Sequence, residues 1–371
     1  MGGSSSGDTS LLMKGRAKRQ IPFWHPAGIH AEEKKPPMDI SSRISSRFDR
    51  FIAHIRPSRA QLEEADRQVA FLREQLTERI AADKQFHLEK IFRAGSVAKH
   101  TDLARTGKDT FDIDLGVYYR AQGSTEEQLS NLLPYTHARL REIYPAEKPA
   151  QDFHVGKNAV NVTFRTSGLQ VDVVPVIRDD SLKRRNSGWI PRQDEWRLTS
   201  ITAHIHFVHT RTARSKQVPG PVKFHHLVRL MKWWNRRLPE SLRQCSYFCE
   251  LITAAALEER GVTDTWQRSL YQIFTFLSQH AFSQPIVFNE YYDTRLVKRP
   301  DDLVVVLDAV NADNNVASKW TKGIKQGYLN SLRQTCDCIK QAQDDERTGH
   351  EEAALETWCQ VFGDDFGRLS Q

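Results

Sequence analysis

The chain is poor in cysteine: 371 residues carry five, at positions 245, 249, 336, 338 and 359, with no C-x-x-C pair. An odd count without paired spacing argues against a disulfide framework and against a zinc knuckle. Cys245 and Cys249 stand one helical turn apart and read as packing residues. No stretch approaches the roughly 20 apolar residues that a membrane span needs, and no secretory leader is visible, so a cytoplasmic protein with no membrane contact is expected. Charge of one sign is also lacking. The 53 basic residues face 46 acidic ones, leaving +7 and an isoelectric point near 9.1. That balance fits a polyanionic partner and fits a merely solvated basic surface equally well. Aromatics at 9% and charged residues at 27% exclude wholesale disorder. The length allows two to three domains of roughly 150 residues each.

Residues 1–38 read as a basic, disordered tail, with Lys14, Arg16, Lys18 and Arg19 followed by prolines at 22, 26, 36 and 37. Its opening matches the myristoylation pattern at Gly2 and Ser6, a six-residue match that arises by accident. Met38 is an alternative start of the ordered part. The first convincing element follows Pro57. Ser58 and Gln61 form a capping box, and Leu62, Ala65, Val69, Leu72, Leu76 and Ile80 recur as one stripe on a long helix. Gly95-Ser96 is expected at the end of a helix, ahead of a strand over 111–119. Ser124 and Glu127 make a second capping box for a helix over 125–142. Strands over 158–166 and 169–177 turn at Ser167-Gly168. Helices follow over 222–237, 245–260, 264–280, 316–342 and 351–362.

The chemistry concentrates on the strands. In Asp112-Ile113-Asp114, side chains alternate, so both carboxylates share a face while Ile113 enters the core. Two like charges so close repel unless a cation lies between them, and hard oxygen ligands select magnesium or manganese. Asp172 is the odd polar residue of an apolar strand, and an ionised carboxylate there needs a partner. Asp-x-Asp alone reads equally as a pair of surface acids. Asp172, Gly95-Ser96 and Lys99 turn the balance, because a Gly-Ser turn offers N–H groups and a hydroxyl to phosphate oxygens.

In this order, Gly95-Ser96, Asp112-x-Asp114 and Asp172 resemble the signature of polymerase-β-like nucleotidyltransferases. Residues 39–367 resemble the bacterial cGAS/DncV-like nucleotidyltransferases (CD-NTases), the oligonucleotide cyclases of CBASS anti-phage defence, and among them clade C. The likeness is carried by Phe51-Ile-Ala-His-Ile-Arg-Pro57, Gly95-Ser-Val-Ala-Lys99, Ser167-Gly-Leu-Gln-Val-Asp-Val-Val-Pro175, Leu227-Val-Arg-Leu-Met-Lys-Trp-Trp234 and Asp308-Ala-Val-Asn-Ala-Asp-Asn-Asn-Val316. The departures are the basic tail and the longer stretch between Lys99 and Asp112, including Arg105 to Asp109. The resemblance implies an α+β fold: a polymerase-β-like core with a small mixed sheet over 39–215, then a helical C-terminal domain over 216–371. It implies Mg²⁺ or Mn²⁺, two ions per site, on Asp112, Asp114 and Asp172, with Asp172 drawing the proton from a ribose hydroxyl. It implies ATP and other NTPs as substrates, cyclic tri-AMP as product, a HORMA-domain regulator with DNA, and an effector bound by the product.

In the helical half, Lys232 and Ser246 read by themselves as a surface lysine and an N-cap serine; the resemblance assigns the pair to the triphosphate. Gly95, Ser96, Lys99, Asp308 and Asn311, with Asn315 nearby, are placed at the nucleotide cleft on the same ground. Trp233 and Trp234 read as core, because adjacent helical positions point in different directions. His204, His206 and His209 lack an acidic or cysteine partner for zinc. Lys183-Arg184-Arg185, Arg192 and Arg197 read as solvated charge, and Tyr118 and Tyr119 as sheet packing. Two other functions remain open at this stage: a template-independent enzyme extending RNA 3′ ends, and a catalytically silent nucleic-acid or nucleotide sensor, against which the three carboxylates argue.

Overall fold

The computed structural model describes residues 38–83, 85–104, 111–121, 125–144, 148–179, 181, 186–192, 195–297 and 300–369. The tail, Ser124, Lys183-Arg184-Arg185 and the stretch from Arg105 to Asp109 lie outside the described residues. Glu33–Gln371 form one compact unit. Helices α1 (Met38–His54) and α2 (Arg59–Ala81) lead into strand β1 (Phe86–Arg93), the single turn α3 (Gly95–Ala98) and strand β2 (Phe111–Ala121). After α4 (Thr125–Ile143) come β3 (Phe153–Val155), β4 (Val160–Phe164), β5 (Leu169–Arg178), β6 (Gly188–Arg192) and β7 (Glu195–Thr199). The rest is helical: α5 (Ile201–Ser215), α6 (Phe224–Arg237), α7 (Ser246–Arg260), α8 (Trp266–His280), α9 (Lys322–Thr348), α10 (Glu351–Phe362) and α11 (Asp364–Arg368).

The capping box at Ser58 is formed, and Ala65, Val69, Leu72, Leu76 and Ile80 are buried along α2. They meet Leu129, Leu132 and Leu140 of α4 and the inward side chains of the sheet, Ile113, Leu115, Val171 and Val173. The sheet runs β1-β2-β5-β4-β3, with β6 on the end of β5 and β7 beside it. Among the described strands of this sheet, only the β2–β5 pairing is parallel. Pro175 lies inside β5, where a missing N–H would break a central ladder. It is tolerated because β4 ends its pairing at Val173 and β6 joins only at Ile177.

Several local expectations change. Gly95-Ser96 does not end a helix; it follows β1 and opens α3. The histidine-rich stretch is helix α5, capped by Ser200, whose side chain accepts from Ala203 N. Helix α9 begins at Lys322 rather than 316, with Thr321 as its cap. Helix α1 precedes the element expected to be first. It buries Ile44, Phe48 and Phe51, and its two phenylalanines meet Trp233, Trp266, Trp358, Phe362 and Phe366. The N-terminal helix is therefore built into the helical half. No helix among the described residues is long and apolar enough to cross a membrane.

Candidate functional site

The parallel register of β2 and β5 places Asp114 directly opposite Asp172, and Asp112 opposite Gln170. Neighbouring strands lie about 4.8 Å apart, so the carboxylates of Asp114 and Asp172 share one face at one strand spacing. Asp112 stands on that face two residues along, and Ile113 between them is fully buried on the other. Asp172 is oriented by two amides that sequence reading missed: Asn161 Nδ2 donates to its Oδ1 at 2.5 Å and Gln170 Nε2 donates to the same oxygen at 3.0 Å. Asn161 is the register partner of Asp172 across β4, a relation with no local signal. Burial pushes the Asp114 carboxyl up to about 6, and the charge of Asp172 pushes the same way; Lys99 opposes both.

Gly95 explains why the turn beside these carboxylates begins with glycine. Its φ is +60°, and a Cβ there would lie 1.6 Å from Asp114 Oδ2. Only a residue without a side chain lets α3 start against the carboxylate. Ala94 N donates to Asp114 O at 2.8 Å, tying this turn to β2. Ser96 opens the first turn of α3, and Lys99 is its C-cap.

The Lys99 ammonium is turned away from solvent. It donates to Glu250 Oε1 on α7 at 2.8 Å and lies 5.0 Å from the centre of the Tyr247 ring. Lys232 is buried as well and donates to Thr101 O at 3.1 Å and Thr101 Oγ1 at 2.8 Å. It is therefore not the surface lysine that its sequence setting permits. Ser246 is exposed as the first residue of α7, while the N-cap itself is Cys245. Tyr247 next to it donates to Asp308 Oδ1 at 2.9 Å.

Asp308, Asn311 and Asn315 belong to one hydrogen-bonded loop behind Tyr247. Asp308 accepts from Val310 N at 2.8 Å and from Asn314 Nδ2 at 3.0 Å, and its Oδ1 is 2.9 Å from His204 Nε2. Burial alone would raise its pKa, but His204 and these donors hold it well below the usual carboxylate range. Asn311 donates to Leu198 O at 3.1 Å. Asn315 spans Val306 N, Ala317 N, Asp302 and Val304 O. Asp308 meets Tyr247, and Asn311 meets β7 at Leu198; Asn315 holds only its own loop. Arg197 on β7 donates to Asn314 Oδ1.

The remaining histidines have separate partners, His206 with the Tyr291 hydroxyl and His209 with Ala98 O. Tyr118 and Tyr119 are fully buried in the sheet, and Trp233 and Trp234 are buried in the helical half. A divalent cation suits the aspartate face by its donor set, since burial and then the charge of Asp172 both work against an ionised Asp114 and a cation would favour it. Among the described residues no three His, Cys, Asp or Glu side chains converge as a ready-made cage.

Residues 43–211 match the Second Messenger Oligonucleotide or Dinucleotide Synthetase domain. The chain is 31% identical over 261 residues to the CBASS oligonucleotide cyclase CdnC of Escherichia coli strain KTE188, covering 70% of this chain and 77% of that one. It is 29% identical over 284 residues to the cyclic AMP-AMP-AMP synthase of Escherichia coli strain MS 115-1, covering 76% and 84%. The solved complex of E. coli MS115-1 CdnC with a HORMA protein matches with a TM-score of 0.72 at 28% identity, over 88% of this chain and 98% of that one. The chain belongs to the CBASS oligonucleotide cyclases, the CD-NTase nucleotidyltransferases of anti-phage defence.

Proposed function

We propose that this cyclase joins three molecules of ATP into cyclic tri-AMP. The observation that carries the chemistry is the pairing of Asp114 with Asp172 across parallel strands, beside the turn that only Gly95 permits. The product is proposed from likeness to the cyclic AMP-AMP-AMP synthase. Asp112, Asp114 and Asp172 would hold two magnesium or manganese ions, which lower the pKa of the attacking hydroxyl and neutralise the triphosphate when bound.

Each transfer is an in-line displacement. A ribose hydroxyl oxygen bonds to the α-phosphorus of the next ATP, or in ring closure to that of the linear intermediate's own 5′ triphosphate, the bond to the pyrophosphate oxygen breaks, and pyrophosphate leaves. Asp172, held by Asn161 and Gln170, takes the hydroxyl proton. Gly95 and Ser96 let the triphosphate approach the carboxylates, and Lys99 after α3, with Lys232 and Ser246 from the helical side, attends its charge. Asp308 and Asn311 support this side through Tyr247 and β7. By likeness to the solved CdnC–HORMA complex, a HORMA-domain protein would bind this enzyme; its action with DNA, a bacterial cytoplasmic setting and an effector bound by the product rest on the family resemblance.

Incubation with Mg²⁺ and four labelled ribonucleotides, followed by phosphatase and mass spectrometry, tests this. Cyclic tri-AMP resistant to phosphatase is expected, either directly or once a HORMA partner and DNA are added. Linear extension of added RNA, or silence with the partner and DNA present, overturns the reading.

A further inference from the structure

The seam between the strand-bearing half and the helical half holds more buried charge than the aspartate chemistry uses. Lys99 and Asp102 come from the segment after α3, Arg229 and Lys232 from α6, and Glu250 from α7, and all five are buried. Asp102 is taken by Arg229, whose Nη2 donates to its Oδ1 at 3.1 Å and whose Nε donates to its carbonyl at 2.9 Å. Two lysines then share one carboxylate. Glu250 has a side chain 2% exposed; its Oε1 accepts from Lys99 Nζ at 2.8 Å, and its Oε2 stands 3.9 Å from Lys232 Nζ. Charges act on one another far more strongly in such a dry seam than in water. The segment Lys99–Asp102 continues directly from the Gly95-Ser96 turn, so a grip on Lys99 from α7 also fixes where that turn stands against α6 and α7.

We propose that Glu250 is a positioning residue for the triphosphate: its carboxylate spans the seam, holds the Lys99 ammonium and supplies the negative charge that faces Lys232. This rests on the reading that Lys99 and Lys232 attend the triphosphate. Glu250 itself touches no phosphate and acts through the two lysines. The groups facing Lys232 are Glu250 and Cys249 on α7, Lys99, Thr101 and Asp102 after α3, and Asp114 on β2. Burial pushes Lys232 down to about 8; Glu250 is the main opposing influence, Lys99 adds to the fall, and Cys249 and Asp102 oppose it. Triphosphate affinity should therefore weaken as pH rises through about 8, and the position of that limb should depend on the charge of Glu250.

The test is equilibrium binding of α,β-methylene-ATP with Mg²⁺ to the full chain, from about pH 6.5 to about 9.5. Wild type should weaken above about 8. Glu250→Gln keeps the shape and an acceptor for Lys99 but removes the charge. Its limb should begin about one unit lower, with affinity down ~10-fold at pH 8. Glu250→Asp keeps the charge on a shorter stem. It should restore the limb at about 8 while still binding ~3-fold more weakly, a split that mere loss of packing would not produce. Should the glutamine variant fail to fold, the aspartate variant carries the test alone. Curves in the variants that superpose on wild type overturn the role of Glu250, even where wild type still makes the cyclic product. A wild type that binds no analogue overturns it together with the proposed function.

Discussion

Asp114 and Asp308 are both carboxylates drawn out of water, and they stand in opposite states. Asp308 is surrounded by donors: His204, Tyr247, the Val310 amide and Asn314. Its charge is fully answered, and its pKa lies below the ordinary range. Asp114 faces a second carboxylate across a strand boundary, and burial and that charge push it up to about 6. A carboxylate whose charge the protein itself satisfies is holding loops together. One that keeps a repulsion is a candidate for holding a charge brought from outside.

Charge removal should break this comparison most visibly. Asp114→Asn should cost at least ~10³-fold in cyclic product with the melting temperature in Mg²⁺ kept, because the variant would lose a metal ligand and no structural donor. Asp308→Asn should instead cost about 2–4 kcal/mol of stability, since the His204 pairing loses its charge. Parallel synthesis assays and denaturant melts would check both. An Asp114→Asn protein that still synthesises would end the metal-ligand reading.

Gly95→Ala comes next. The new Cβ would have to displace the Asp114 carboxylate, and the left-handed backbone adds about 1–2 kcal/mol of strain. Synthesis should fall ~100-fold with a modest loss of stability, and a crystal structure should find Asp114 rotated away from Asp172.

The smallest effect sharpens the contrast by pH. The raised pKa of Asp114 makes its ionisation costly to the fold, so its contribution improves as pH falls from above 6 towards 4. The lowered pKa of Asp308 has the opposite sign: its stabilisation is present near neutral pH and is lost in acid. Without divalent cations, Asp114→Asn should exceed wild type in stability by about 1–3 kcal/mol at neutral pH, and the gain should vanish near pH 4. Mg²⁺ should erase the gain at neutral pH by stabilising wild type alone. Equal melts at neutral pH would deny the repulsion.

Legibility in the sequence followed the range of the interaction. The stripe of α2, the alternation around Ile113 and the turn at Gly168 depend on spacing within one element, and they are readable there. Strand β1 was not: Glu89 and Lys90 interrupt its alternation, and its partner is β2 through Phe86↔Ala121. Helix α1 was missed because Phe48 and Phe51 find their neighbours in Trp233, Trp358 and Phe366, at the far end of the chain. Asn161 and Gln170 were missed at the site for the same reason, since an orienting amide is recognised only by what it touches.

Residue type and order by themselves determined the chemistry. Three carboxylates on apolar strands and a Gly-Ser turn point to a cation and a phosphate before any fold is known, because the need to answer a charge is a property of the side chains. Tertiary structure alone decided which carboxylates face each other and which lysine is held by Glu250. The parallel register sets Asp114 against Asp172, and the seam joins Lys99 to a partner 151 positions away. Nothing in local spacing encodes such a pairing, because it forms only after the intervening chain has folded and the loop between them has closed.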